Sequence, residues 1–332
     1  MTRLTNLIQG QSSQESANPD AKNHVLSMRP TGLPRPTPTP TLSQSVTGND
    51  WHQRACHVVQ GIKGAIQTRQ PWVIDDVVSL AAGIVSSLRT NDQLLEKVLQ
   101  RDVGDFLVTN AVNVAIVSVK IAEGLEYESA KLEQIALAGL LHDLGMFVLP
   151  DSLLYKASAL TEEEVRIMRE HPQHGSHLVK DVGASYPWLG RVILQEHKRW
   201  DGSGYPNRLT GDHSDEMALI IGLADVFDAL MIERPYRRGM SSHQAIRTLL
   251  VSGKTMFPHH LLKALVDQLS IYPLGTTVRL NTGETGVVYQ LNRQYPLRPI
   301  LRVLQSGHGP VSKTVDLRAV TSLHIVEVVA IG

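Results

Sequence analysis

The sequence predicts a mainly α-helical protein with a small β module at its C-terminal end and a disordered tail at its start. Three observations carry this. Apolar residues recur at three- and four-residue intervals from Trp51 to about Ile271. After Tyr272-Pro-Leu-Gly275 the period changes to two, and the first 50 or so residues have no apolar period. The 332 residues thus divide into a tail over 1–50, an N-terminal helical region over 51–100, a helical domain over 101–272 and the β module over 273–332.

The tail is rich in Ser, Thr, Gln and Pro, and its run from Pro30 to Pro40 is built on alternating prolines. Proline fixes φ and removes a backbone donor, so neither helix nor paired strand forms there. In the helical region Val112, Ile116, Val119 and Ala122 make one apolar stripe. Helix-stopping residues mark breaks at Gly124, Pro150, Gly183 and Gly202. Thr161-Glu-Glu-Glu164 is a capping box, predicting a helix that begins there and carries His171. A second helical run, Asp215–Met231, carries Asp225. Strands are predicted at 278–280, 286–289, 300–304 and 325–329, separated by Gly, Asn and Thr turns.

Composition narrows the function. Lys and Arg together number 32, as do Asp and Glu, so the chain lacks the basic footprint of a nucleic-acid binder, and no nucleic-acid polymer is expected as a partner. Cys56 is the single cysteine, which excludes an intrachain disulfide and fits a reducing compartment. No uninterrupted apolar run reaches the ~20 residues of a membrane span, and the polar N-terminus has no signal-like core. The expectation is a cytoplasmic protein without membrane contact.

The chemical signal is a set of histidines and carboxylates on several predicted helices: His142-Asp143, His171, Glu196-His197 and Asp225. Neutral imidazole and carboxylate together suit iron, manganese, zinc and similar ions. Taken singly, each residue has an ordinary explanation. His142-Asp143 reads as a buried, self-satisfied pair, His171 as surface, and Glu196-His197 beside Lys198-Arg199 as a solvated face. Asp225 is different: it is flanked by Ile220, Ile221, Leu223 and Val226, and an unpartnered carboxylate on an apolar helix face is costly.

Taken together the residues resemble a family. Leu141-His-Asp-Leu-Gly145 is similar to the signature of the HD superfamily, and Arg199-Trp-Asp-Gly-Ser-Gly-Tyr-Pro206 resembles the Gly-Tyr-Pro loop of its HD-GYP branch. Ala224-Asp-Val-Phe-Asp-Ala-Leu230 with Glu233-Arg-Pro-Tyr-Arg237 resembles that branch's last ligand block. The resemblance spans about residues 90–272. It implies an HD-superfamily helical bundle acting as a metal-dependent phosphohydrolase on cyclic di-GMP. It also implies two divalent ions, iron or manganese, held by His142, Asp143, His171, His197 and Asp225. Asp143 would bridge the ions and, with His142, form the catalytic pair. Arg234 and Arg237 would face the phosphate and Tyr205 would line the substrate site.

Three positions depart from the implied pattern. Asn110 stands where the first histidine is expected, Glu196 where the first of two consecutive histidines is expected, and Met146 where a phosphate-facing lysine is expected. Asn110 and Glu196 remain candidate ligands. Glu for His and Met for Lys together make the site about two charges more negative, which repels a phosphodiester unless metal is bound. Weakened turnover is one expectation. The alternative is a catalytically inactive module that binds cyclic di-GMP or a partner, such as a diguanylate cyclase domain, and signals by conformation. A purely structural scaffold leaves the Gly-Tyr-Pro loop and the inward carboxylates unexplained.

Overall fold

The computed structural model describes residues 48–100, 104–182, 184–206, 214–232, 239–269, 272, 275–292, 295, 298–304 and 312–330. The expected tail, the break at Gly183, and Arg234 and Arg237 lie outside these residues, apart from the last three positions of the tail, which open the first helix.

The helices are α1 (Gly48–Gln67), α2 (Ile74–Thr90), α3 (Gln93–Gln100), α4 (Phe106–Gly124), α5 (Ser129–Leu141), α6 (Asp151–Leu154), α7 (Glu162–Met168), α8 (His171–Val182), α9 (Leu189–Gln195), α10 (Glu216–Met231), α11 (Ser242–Ser252) and α12 (His259–Gln268). A 3-10 turn, Leu144–Val148, links α5 to α6.

Helix α4 is the axis of the domain. Asp105 starts it by accepting from the Leu107 backbone N–H at 3.1 Å. Its predicted stripe, Val112, Ile116, Val119 and Ala122, is fully buried. Helices α1, α5, α10 and α12 all pack against it. At 19 residues α4 is long and apolar enough to cross a membrane by length and composition, although no such run stood out in the sequence. Its apolar residues are instead accounted for by burial among those four helices.

Two local expectations are corrected. The Thr161 capping box forms as read, but α7 stops at Met168 and His171 opens the next helix. The reason is Pro172: a proline has no N–H to continue α7 and disfavours helical geometry in the residue before it, yet fits the first turn of a new helix. The β module has one strand more than expected. Its strands β1 (Thr277–Leu280), β2 (Thr285–Gln290), β3 (Ile300–Leu304), β4 (Ser312–Asp316) and β5 (Ile325–Ala330) form an antiparallel sheet in the order β4-β3-β2-β1-β5. The additional strand is β4, which pairs Val315 with Leu301. As an edge strand it has a single apolar side chain to bury, so it shows no alternation to read.

Candidate metal centre

Close backbone contacts assemble the site. His142 follows the last residue of α5, and its Nδ1 donates to the Gly139 carbonyl at 2.8 Å, which turns Nε2 inward. Asp143 leads into the 3-10 turn, which crosses the start of α8 at Gly145. A Cβ on Gly145 would lie 1.9 Å from the His171 carbonyl oxygen and 2.6 Å from the Gly175 nitrogen. Only glycine permits this approach, and the approach sets His171 against Asp143. The His171 ring is held by Nδ1 donating to the Met168 carbonyl at 2.7 Å.

Glu196 and His197 follow α9. The Gly-Tyr-Pro loop folds back on them. A Cβ on Gly204 would come within 2.2 Å of the His197 carbonyl oxygen. This seating stacks the Tyr205 ring on the His197 ring, with centroids 4.6 Å apart and planes 19° from parallel. Arg169 lies over the same Tyr205 ring, its guanidinium 5.4 Å from the centroid.

Asp143, His171, Glu196 and His197 each turn one donor atom into a common space, all within 4.8 Å of one another. His171 Nε2 is 3.2 Å from Asp143 Oδ1, 3.3 Å from Glu196 Oε1 and 2.9 Å from His197 Nε2. Donors around one ion at about 2.1 Å stand roughly 3.0 to 3.5 Å apart, so this spacing suits a shared cation. Both Glu196 oxygens, Asp143 Oδ1 and His142 Nε2 are buried without a hydrogen bond. Buried polar atoms left this way are expensive, and coordination to a metal satisfies them. The donor set therefore fits a divalent ion.

Electrostatics agree. Burial pushes the Glu196 carboxyl up to about 7, despite the nearby His142 and His171 imidazoles. Burial opposes charging of His142, yet Asp143 and Glu196 outweigh it and hold this imidazole well above its ordinary value. His197 moves the other way: burial and the neighbouring His171 keep it neutral. Metal and protons thus compete for the same donors. Because the Glu196 proton is held up to about 7, the metal-free site carries it at pH 6 and must lose it on binding. Affinity for Mn²⁺ is expected to fall by at least about tenfold per pH unit below 7. Titrations at fixed ionic strength between pH 5.5 and 8 measure this, and an affinity flat with pH would remove Glu196 from the ligand set.

The other expected residues occupy different places. Asp225 adjoins the cluster, its Oδ1 4.0 Å from His142 Nε2, and His142 Nε2 is 3.5 Å from Asp143 Oδ2. Asn110, only 2% exposed, turns its amide nitrogen to Asp228 Oδ2 at 2.8 Å and Asp225 Oδ1 at 3.3 Å. Met146 packs against the apolar core.

The sequence reading missed Arg199, Asp228, Asn113 and His52. Lys198 and Arg199 are buried, not a solvated face. The Arg199 guanidinium donates to the carbonyls of Glu196 and Lys198 and lies on the Phe257 ring. Asp228 receives Asn113 as well as Asn110, and Asn113 in turn accepts from His52. A second carboxylate one turn after Asp225 was the only available signal for this chain of bonds.

Known proteins resemble this chain over the region that holds these residues. The model of the HD domain family matches residues 90–257, and that of a KOW domain associated with HD domains matches 277–331. A cyclic di-GMP phosphodiesterase of Pseudomonas aeruginosa is 32% identical over 235 residues, 70% of this chain and 56% of the relative. A cyclic di-GMP phosphodiesterase response regulator of Xanthomonas campestris is 36% identical over 147 residues, 44% of this chain and 39% of the relative. The chain spans about half the length of such relatives or less. An HDG"Y"P protein of Bdellovibrio bacteriovorus shares the fold, with a TM-score of 0.55 at 19% identity over 66% of this chain and 70% of that one.

Proposed function

The chain belongs to the HD domain family, and from that premise we propose that it is a metal-dependent phosphodiesterase hydrolysing cyclic di-GMP at the Asp143–His171–Glu196–His197 cluster. The observation that carries the reading is the convergence of these four donors with buried, unsatisfied carboxylate oxygens among them. The relatives named as cyclic di-GMP phosphodiesterases support the substrate.

Two imidazoles and two carboxylates would hold the ion, a mixture suited to manganese or iron. When bound, the ion supplies Lewis acidity, acidifying a water molecule and neutralising charge on the phosphate oxygens. The chain's residues prepare for this. His171 spends its Nδ1 proton on the Met168 carbonyl, which keeps its Nε2 lone pair directed inward. Tyr205 fixes the plane of His197 by stacking on it and walls one side of the site. Arg199 places a permanent positive charge beneath Glu196 and Asp225, offsetting part of the negative charge that Glu196 introduces. Arg234 and Arg237 are proposed as the phosphate clamp, a task that suits a planar, always-charged guanidinium.

Turnover is expected to be slow. Met146 offers no charge where a cation would meet the phosphate, and one charged hydrogen bond is worth ~1.5 to 3 kcal/mol, roughly ten- to a hundredfold in rate. The same substitution favours the alternative reading, a non-catalytic module binding cyclic di-GMP or a cyclase partner. Chromatography of cyclic di-GMP incubated with Mn²⁺-loaded protein separates the two. Slow, metal-dependent loss of the cyclic dinucleotide supports the enzyme, whereas saturable binding without loss supports the module. We propose a cytoplasmic location, which the single cysteine, Cys56, supports.

A further inference from the structure

Resting on the metal-dependent reading, we propose that this centre takes a single divalent ion, because the Asn110 amide closes the position where a second would sit. The sequence resemblance implied a pair of ions; the contacts around Asp225 argue for one.

Away from the four-donor cluster, atoms that could serve a second ion are His142 Nε2, Asp143 Oδ2 and Asp225 Oδ1, the first lying 3.5 and 4.0 Å from the others. The Asp225 oxygen that faces His142 is also the one receiving the Asn110 amide N–H at 3.3 Å. An amide nitrogen has no lone pair to give a cation, and its hydrogens carry positive charge. An ion on Asp225 Oδ1 would therefore meet an N–H donor at its flank rather than a ligand.

Turning the Asn110 amide over would present its oxygen instead, but the surrounding bonds oppose this. Asn113 donates its amide N–H to Asp228 Oδ1 at 2.9 Å, and its amide oxygen is engaged by His52 Nε2 at 3.1 Å. That fixes Asp228 Oδ1 as an acceptor; burial pushes the Asp228 carboxyl up to about 7, so above that pH its second oxygen, 2.8 Å from the Asn110 nitrogen, is an acceptor too. A reversed Asn110 would set two oxygens against each other at that distance in a buried site. The chain His52–Asn113–Asp228–Asn110 thus has one direction, and it ends with a donor aimed at Asp225.

The test is Mn²⁺ loading followed by elemental analysis after desalting and by electron paramagnetic resonance. The expected wild-type result is one ion per chain with the spectrum of an isolated Mn²⁺. Asn110→His supplies a lone pair in place of the donor and is expected to raise the content to two, with the spectrum of a spin-coupled pair. Asn110→Asp, close to the original size, covers the case in which histidine does not fit. Two coupled ions in the wild type overturn the inference, as does a single ion in both well-folded variants. A wild type that retains no ion contradicts the metal-dependent reading itself, so the two failures are distinguishable.

Discussion

Asp143→Asn is expected to empty the metal centre while leaving the fold in place. Asp143 is a ligand candidate on two sides: Oδ1 faces His171 at 3.2 Å and Oδ2 faces His142 at 3.5 Å. Its carboxyl is held well below the usual range, because the imidazoles of His142 and His171 outweigh the cost of burying it. It is therefore charged and ready to bind a cation. Structural zinc sites with four ligands hold their ion with roughly 10 to 16 kcal/mol, which bounds one ligand's share at about 3 to 4 kcal/mol, or up to two to three orders of magnitude in Kd. Bound metal after desalting should fall from near stoichiometric to a trace, and cyclic di-GMP hydrolysis should fall with it. Circular dichroism should stay that of the wild type, since the amide is nearly isosteric. Retained metal and turnover in this variant would mean that Asp143 is not a ligand.

The second large effect is expected at a residue that touches no ligand. Gly145→Ala would place a methyl 1.9 Å from the His171 carbonyl oxygen and 2.6 Å from the Gly175 nitrogen. Both neighbours are backbone, so neither can rotate away. The 3-10 turn and α8 must separate by more than 1 Å, and that pulls His171 from Asp143. Overpacking of this kind costs about 3 kcal/mol or more, which for a domain of this size lowers Tm by roughly 10 °C. Metal affinity should drop in parallel, because the same contact that carries the strain sets the ligand spacing. Calorimetry and Mn²⁺ titration on one preparation check both effects. A variant of wild-type Tm and affinity would show that the turn yields without cost and that the close crossing does not position the site.

These two residues also show what the sequence made legible. His142, Asp143 and Gly145 lie within one short motif, and the reason for each is local: a ligand pair at the end of an apolar helix, then a residue small enough for the next helix to cross. Asp225 was readable because a carboxylate among Ile220, Ile221, Leu223 and Val226 demands a partner. His171 was found by residue type, but its helix was misplaced, since Pro172 starts α8 anew and the capping box alone did not reveal where α7 ends. Arg199 was missed because nothing nearby in the sequence marks a buried guanidinium; its partners are backbone carbonyls and the distant Phe257. The direction of Asn110 was likewise hidden. It depends on Asp228 and, through Asn113, on His52, which only the packing of α1 and α10 against α4 brings together.

The central claim is that Asp143, His171, Glu196 and His197 form a catalytic metal centre. The most direct measurement is the metal content of anaerobically purified protein, followed by cyclic di-GMP hydrolysis before chelation, after chelation and after adding back Mn²⁺ or Fe²⁺. The account predicts bound manganese or iron, loss of hydrolysis on chelation and its return with the ion. A folded protein that retains no metal under these conditions, or hydrolysis that survives complete chelation, would contradict it.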